Sequence, residues 1–207
     1  LNRQSERYAR EGIDLSLSTL ADQVGACAAA LQPLYRLIER HVLCAQRLHG
    51  DDTTVPILAK GQTVKGHIWT YVRDDRPFGG RAPPGALYYA SRDRRREHPT
   101  QHLQSFSGIL QADAYSGYNE LYDASRAQGP VTPALCWAHV RRQFFELADI
   151  AANARRDKNA AAISPIALEA VKRIDALFDI ERGINGQRIG VRRRHQACGR
   201  SRLARTA

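Results

Sequence analysis

The stretch Gly108-Ile109-Leu110-Gln111-Ala112-Asp113-Ala114-Tyr115 decides how this sequence is read. It opens on a glycine, runs through apolar residues and reaches a carboxylate at Asp113. The pattern predicts a short buried strand closed by an acid. A carboxylate in apolar surroundings is costly unless it is paired or bound to a cation. On its own, an aspartate at a strand end is more often a turn or cap residue.

Working outward, His98-Pro99 starts a short helix over about 98–106, and Tyr118 to Ala124 reads as helical. Pro133 to Trp137 reads as a second strand, and 139–152 as a helix with Val140, Phe144, Leu147 and Ala148 on one face. Residues 153–163 are polar and alanine-rich, as in a linker. Ser164-Pro165 then opens a helix that turns Val171, Ile174, Leu177 and Phe178 inward. Upstream, residues 48–58, 67–73 and 86–91 are rich in Val, Ile, Thr, Tyr and Trp and read as strands. Lys60-Gly61-Gln62 fits a hairpin between the first two. Three meander-like strands followed by alternating helices and strands imply an α/β fold with a mixed sheet and flanking helices.

The first 46 residues differ in character. Residues 14–31 carry Leu20, Val24, Ala28 and Leu31 at helical spacing, and Pro33 suits the first turn of a second helix. The expectation is an N-terminal helical hairpin. A helix-turn-helix DNA reader is the rival reading, but Arg36, Arg40 and Arg47 are too few and scattered to favour it.

A formal net charge of +10 points to a polyanionic partner, most simply nucleic acid. No run of about 18 apolar residues predicts a membrane span, and the polar start is not a secretory signal. Cys27, Cys44, Cys136 and Cys198 match neither a disulfide framework nor a common zinc site, which favours a reducing, cytoplasmic setting. Cys27 and Cys44 are expected to be small buried residues. The sequence holds no methionine and starts on Leu1, so residue 1 is not expected to be the original start. From Gln187 onward apolar periodicity stops. The stretch to Ala207 carries seven arginines and no acid, reading either as a basic, disordered tail or as an out-of-frame product, the latter favoured.

A second acidic position lies in His49-Gly50-Asp51-Asp52-Thr53-Thr54-Val55-Pro56, at the start of a predicted strand. Carboxylates on neighbouring strands could together hold Mg²⁺ or Mn²⁺, which favour oxygen ligands. Two-metal sites for phosphoryl transfer are built in this way. The segment Cys136-Trp137-Ala138-His139-Val140-Arg141-Arg142 is more ambiguous. Its Cys and His would be half a zinc site with no second half, and its arginines either hold a phosphate backbone or are merely solvated.

These segments, with Leu1-Asn2-Arg3-Gln4-Ser5-Glu6-Arg7-Tyr8, Leu15 to Asp22 and Trp69 to Gly80, closely resemble transposases of the insertion sequence 66 family, in the right order up to about Gly186. The resemblance implies a ribonuclease-H-like fold with an Asp-Asp-Glu metal site that uses Mg²⁺ or Mn²⁺. Water would attack a phosphodiester at the element end, and the freed 3′-hydroxyl would attack target DNA. The first family aspartate falls on Asp51, with Asp52 beside it, and the second on Asp113. His139, Arg141 and Arg142 become candidate DNA contacts. The partners implied are insertion-sequence ends and target DNA, with a homo-oligomer on DNA, in the nucleoid.

No residue here matches the family's third acid, a glutamate in an Asp-Asn-x-x-Glu-Arg motif. The family's cysteine segment near the N-terminus is also missing. The chain is therefore expected to be truncated, with a frameshift near Gly186, and inactive alone; Glu146 is the first suspect for a substitute acid. The expected divisions are an N-terminal helical segment (1–46), an incomplete catalytic core (47–152), a linker and helix (153–186) and a non-matching basic tail (187–207).

Overall fold

The computed structural model describes residues 1–148 and 164–185. The linker expected at 153–163 and the basic tail from 187 lie outside the described residues. The chain forms two compact units, divided between His41 and Val42.

The first unit holds α1 (Asn2–Arg10) and most of α2 (Leu17–Leu43). Ser16 starts α2 by accepting the Thr19 backbone N–H on its Oγ at 3.0 Å. The expected break at Pro33 does not occur. Pro33 lies inside one continuous 27-residue helix, so the hairpin expectation is corrected. A mid-helix proline removes one ladder bond and costs about 3 kcal/mol. Here it follows a long run of good helix formers, Ala26 to Gln32, which carries the helix through the defect. α1 was missed, because its mostly polar sequence has no apolar stripe to betray it.

The second unit is a five-stranded mixed sheet with helices. The strands are β1 (Arg47–Ala59), β2 (Gln62–Arg73), β3 (Gly85–Ser91), β4 (Ile109–Ala112) and β5 (Thr132–Leu135), in the spatial order β3-β2-β1-β4-β5. β1, β2 and β3 pair antiparallel, whereas β4 joins β1, and β5 joins β4, in parallel. Gly61 turns the β1–β2 hairpin at φ 73°, a left-handed conformation that suits glycine. Pro133 is tolerated because β5 is an edge strand. Pro56 is tolerated because β1 has no second neighbour beyond His49.

One face of the sheet carries Leu48, Trp69, Tyr71, Leu87 and Leu110, all fully buried. Leu103, Phe106, Tyr118 and Leu121 complete this core, coming from the region of α3 (Glu97–His102) and of a 3-10 helix at Ser116–Tyr122. Arg126 braces the turn after α3, donating to the carbonyls of Leu103, Gln104, Phe106 and Gly129. α4 (Trp137–Ala148) packs on α5 (Pro165–Ile184), whose Ala167, Val171, Ile174 and Ile184 are buried. Trp137 belongs to α4 rather than to the strand, which ends at Leu135. Cys27 and Cys44 are exposed, contrary to the expectation of burial.

Candidate metal and DNA site

The parallel register of β1 and β4 sets Leu48 level with Leu110 and His49 level with Gln111. Two residues past the last paired positions lie Asp51, within β1, and Asp113, the first residue after β4. The two aspartates singled out from sequence are therefore carried side by side by neighbouring strands. Asp51 is exposed, and its Oδ1 accepts the Asp52 backbone N–H at 2.8 Å.

Strand alternation turns Asp52 to the other face, the one shared with Leu48 and Gly50. Its side chain is only 6% exposed, so it needs compensation. His67 Nδ1 lies 3.0 Å from Asp52 Oδ2. Arg94 Nε donates to Asp52 Oδ1 at 2.9 Å, and its Nη2 lies 2.7 Å from the same oxygen. The same Nη2 donates to Asp113 Oδ2 at 3.3 Å. One guanidinium thus bridges two carboxylates from neighbouring strands.

Arg94 is itself held in place. Its Cζ lies 4.0 Å from the centroid of the Tyr115 ring. Tyr115 closes the loop by donating its hydroxyl to the Arg94 carbonyl, and its backbone N–H donates to Asp113 Oδ1 at 3.2 Å. Sequence reading missed Arg94, which lies in Arg92-Asp93-Arg94-Arg95-Arg96 and looks there like a solvated charge run.

Tyr118 lies behind the acids. Its hydroxyl is buried and finds no hydrogen-bond partner. Burial raises its pKa, and the charges of Asp113, Asp52 and Asp51 add to the rise. Gly50 leaves room for it: a Cβ there would stand 3.5 Å from the Tyr118 hydroxyl and 3.1 Å from Leu110 Cδ1.

Trp69, paired across the sheet with Asp52, anchors an aromatic shell. The rings of His67, His98, His102, Tyr115 and Tyr118 surround it at 6.1–6.5 Å. Burial, with His98 nearby, pushes the His102 pKa down to about 4.

The candidates on α4 are not gathered with these acids by any hydrogen bond or ion pair among the described residues. Arg141 binds Asp175 of α5 through Nε at 2.6 Å and Nη2 at 3.2 Å, fixing α4 against α5. The Nδ1 of His139 is buried and unpartnered, and Arg142 is exposed. Glu146 is also exposed. Among the described residues no group of three or more His, Cys, Asp or Glu side chains is placed to hold a metal ion.

A mixed sheet with acids carried by its parallel strand pair defines an α/β domain. Residues 1–205 match the family model described as "Transposase IS66 family", and the chain belongs to that family. The match takes in the basic stretch from 187, where the family pattern was expected to stop. The chain is similar to three uncharacterized proteins of Sinorhizobium fredii. It is 61% identical to y4hP over 197 residues, which is 93% of this chain and 36% of that protein. It is 35% identical to y4qI over 192 residues, 90% of this chain and 34% of that protein. Identity to y4jD is 33% over 191 residues, 90% of this chain and 35% of that protein. The chain thus spans about a third of the length of these curated relatives. Among the described residues no helix is long and apolar enough to cross a membrane.

Proposed function

We propose that this chain supplies two acidic ligands of a metal-dependent centre for DNA cleavage and strand transfer, built on a ribonuclease-H-like sheet. The observation that carries the reading is the convergence of Asp52 and Asp113 on one guanidinium, beside Asp51, just past where the parallel pairing of β1 and β4 stops. Three antiparallel strands followed by two parallel ones support the fold reading. Membership of a transposase family supports the reaction class.

The donor set fits a hard divalent cation in chemistry, since it offers carboxylate oxygens where a positive group is already accommodated. Asp51 and Asp113 are the assigned ligands for Mg²⁺ or Mn²⁺, and Asp52 is the neighbour able to replace Asp51. When bound, such ions stabilise the attacking and leaving oxygens of a phosphodiester exchange. Two carboxylates do not complete the expected Asp-Asp-Glu set, so cleavage requires an acid from elsewhere in a longer protein or from another chain. DNA is the partner, and the basic balance of the chain supplies phosphate contacts, with Arg142 exposed for that role and His139 and Arg141 placed nearby on α4.

The alternative is a non-catalytic module that occupies element ends. One experiment separates the two. Element-end duplex is incubated with Mn²⁺ and either this chain or a full-length protein containing it. The expected result is binding without nicking by the chain, and nicking by the full-length protein that Asp113→Ala abolishes. Full-length nicking that survives Asp113→Ala, and survives Asp51→Ala combined with Asp52→Ala, would sink the site assignment.

A further inference from the structure

The long helix α2 carries an apolar seam that the proposed chemistry does not use. Leu17, Val24, Leu31 and Ile38 recur every seven residues, and Leu20, Cys27 and Leu34 repeat with the same period, offset by three. This is the a/d pattern of a coiled coil, kept for three heptads. The seam is open: Leu17, Val24, Leu31, Leu34 and Ile38 are each between 38% and 58% exposed. The other helix of this unit, α1, cannot cover it. α1 has nine residues, with Tyr8 and Ala9 its only apolar ones, whereas the seam from Leu17 to Ile38 is about 32 Å long at the helical rise.

The rest of the helix is arranged around that seam. Between Leu17 and Ile38 the only charged residues are Asp22 and Arg36, both diametrically outside it at the f positions. The flanking e and g positions hold Ala21, Gln23, Ala28, Ala30, Tyr35 and Leu37, all neutral. Pro33 falls at a c position, so the ladder defect it makes lies on the outer side.

We propose that α2 pairs through this seam with α2 of a second copy of the chain, parallel and in register. A second copy suits a neutral flank, because identical sequences side by side then meet no like charges. A β-branched residue at two of the four a positions, with leucine at two of the three d positions, is the pattern of two parallel strands. In that register Cys27 of one copy faces Cys27 of the other. This pairing does not depend on the metal site.

The test uses the 207-residue chain itself. Sedimentation equilibrium at tens of micromolar is expected to give about twice the 23.1 kDa chain mass. Leu31→Asp combined with Leu34→Asp is expected to return it to the monomer mass with helix content retained by circular dichroism. Mild oxidation of the unaltered chain should give a cross-linked dimer that Cys27→Ser abolishes and Cys44→Ser does not. A monomer at these concentrations, or a dimer indifferent to the aspartate pair, would overturn the proposal. A dimer that responds to the aspartate pair but is not linked through Cys27 by mild oxidation would overturn the parallel register.

Discussion

Arg94 holds Asp113, one of the two carboxylates that the proposed reading gives to a cation, together with Asp52, the alternative to the other. A guanidinium and a divalent ion cannot both hold the same oxygens. Arg94→Ala is therefore expected to tighten Mn²⁺ binding severalfold, read by titration calorimetry or by the signal of free Mn²⁺. Unchanged or weaker affinity would mean that Arg94 is not displaced when metal binds. His102 offers a second residue-level check. Its ring stacks on Tyr89 at 4.1 Å between centroids, and its Nδ1 lies 3.3 Å from the Tyr71 hydroxyl. Its folded pKa, about 4, lies below the usual 6.5, so folding favours the neutral ring. The stability it contributes is present above pH 6.5 and is lost as pH falls from there toward 4. The urea midpoint should drop over that window, and His102→Gln should flatten part of the drop. At this scale the sequence was half legible. Asp51 and Asp113 were named through the motifs that resemble the family, since an aspartate at a strand end is by itself more often a turn or cap residue. Arg94 was not named, because nothing in a run of arginines says which one turns inward.

At the scale of elements, junctions carry the strain. Gly108 enters β4 at φ 148°, and a Cβ there would stand 2.6 Å from the Gln46 carbonyl oxygen. That same carbonyl accepts the Ile109 N–H at 2.9 Å, so it cannot easily retreat. Gly108→Ala is expected to cost roughly 1–3 kcal/mol in chemical denaturation. Ser164 caps α5 by accepting the Ala167 N–H at 3.3 Å. Ser164→Ala should cost about 1 kcal/mol, while Ser164→Asp should be nearly neutral. All five strands were readable, because β-branched and aromatic runs bounded by Gly and Pro admit few other forms. Pro33 misled, because propensity assigns proline to a boundary, whereas neighbouring residues decide whether a helix survives it. α1 offered only Tyr8 and Ala9 as apolar residues, too few to mark a helix by an apolar stripe.

For the whole molecule, the charge of +10 sets the expected mode of DNA binding. Affinity should fall steeply and log-linearly with salt, with little dependence on sequence at high protein concentration, because counterions are released from phosphates. A salt-independent affinity, measured by fluorescence anisotropy, would contradict this. The order of elements made an α/β fold readable, but the crossover that places β4 beside β1 depends on chain connections that local patterns do not encode. One architectural feature also has a temporal consequence. β1 and β2 pair as far as Ala59 and Gln62, but β3 accompanies β2 only over His67–Arg73, and β4 accompanies β1 only over Arg47–His49. From about residue 54 to 66 the hairpin is a two-stranded ribbon with exposed side chains at most positions, Leu58 being 89% exposed. Two continuous strands therefore contain two clocks. Amide hydrogens in the ribbon should trade with deuterium through frequent local opening, while those of the same strands inside the sheet wait for rarer, larger unfolding events.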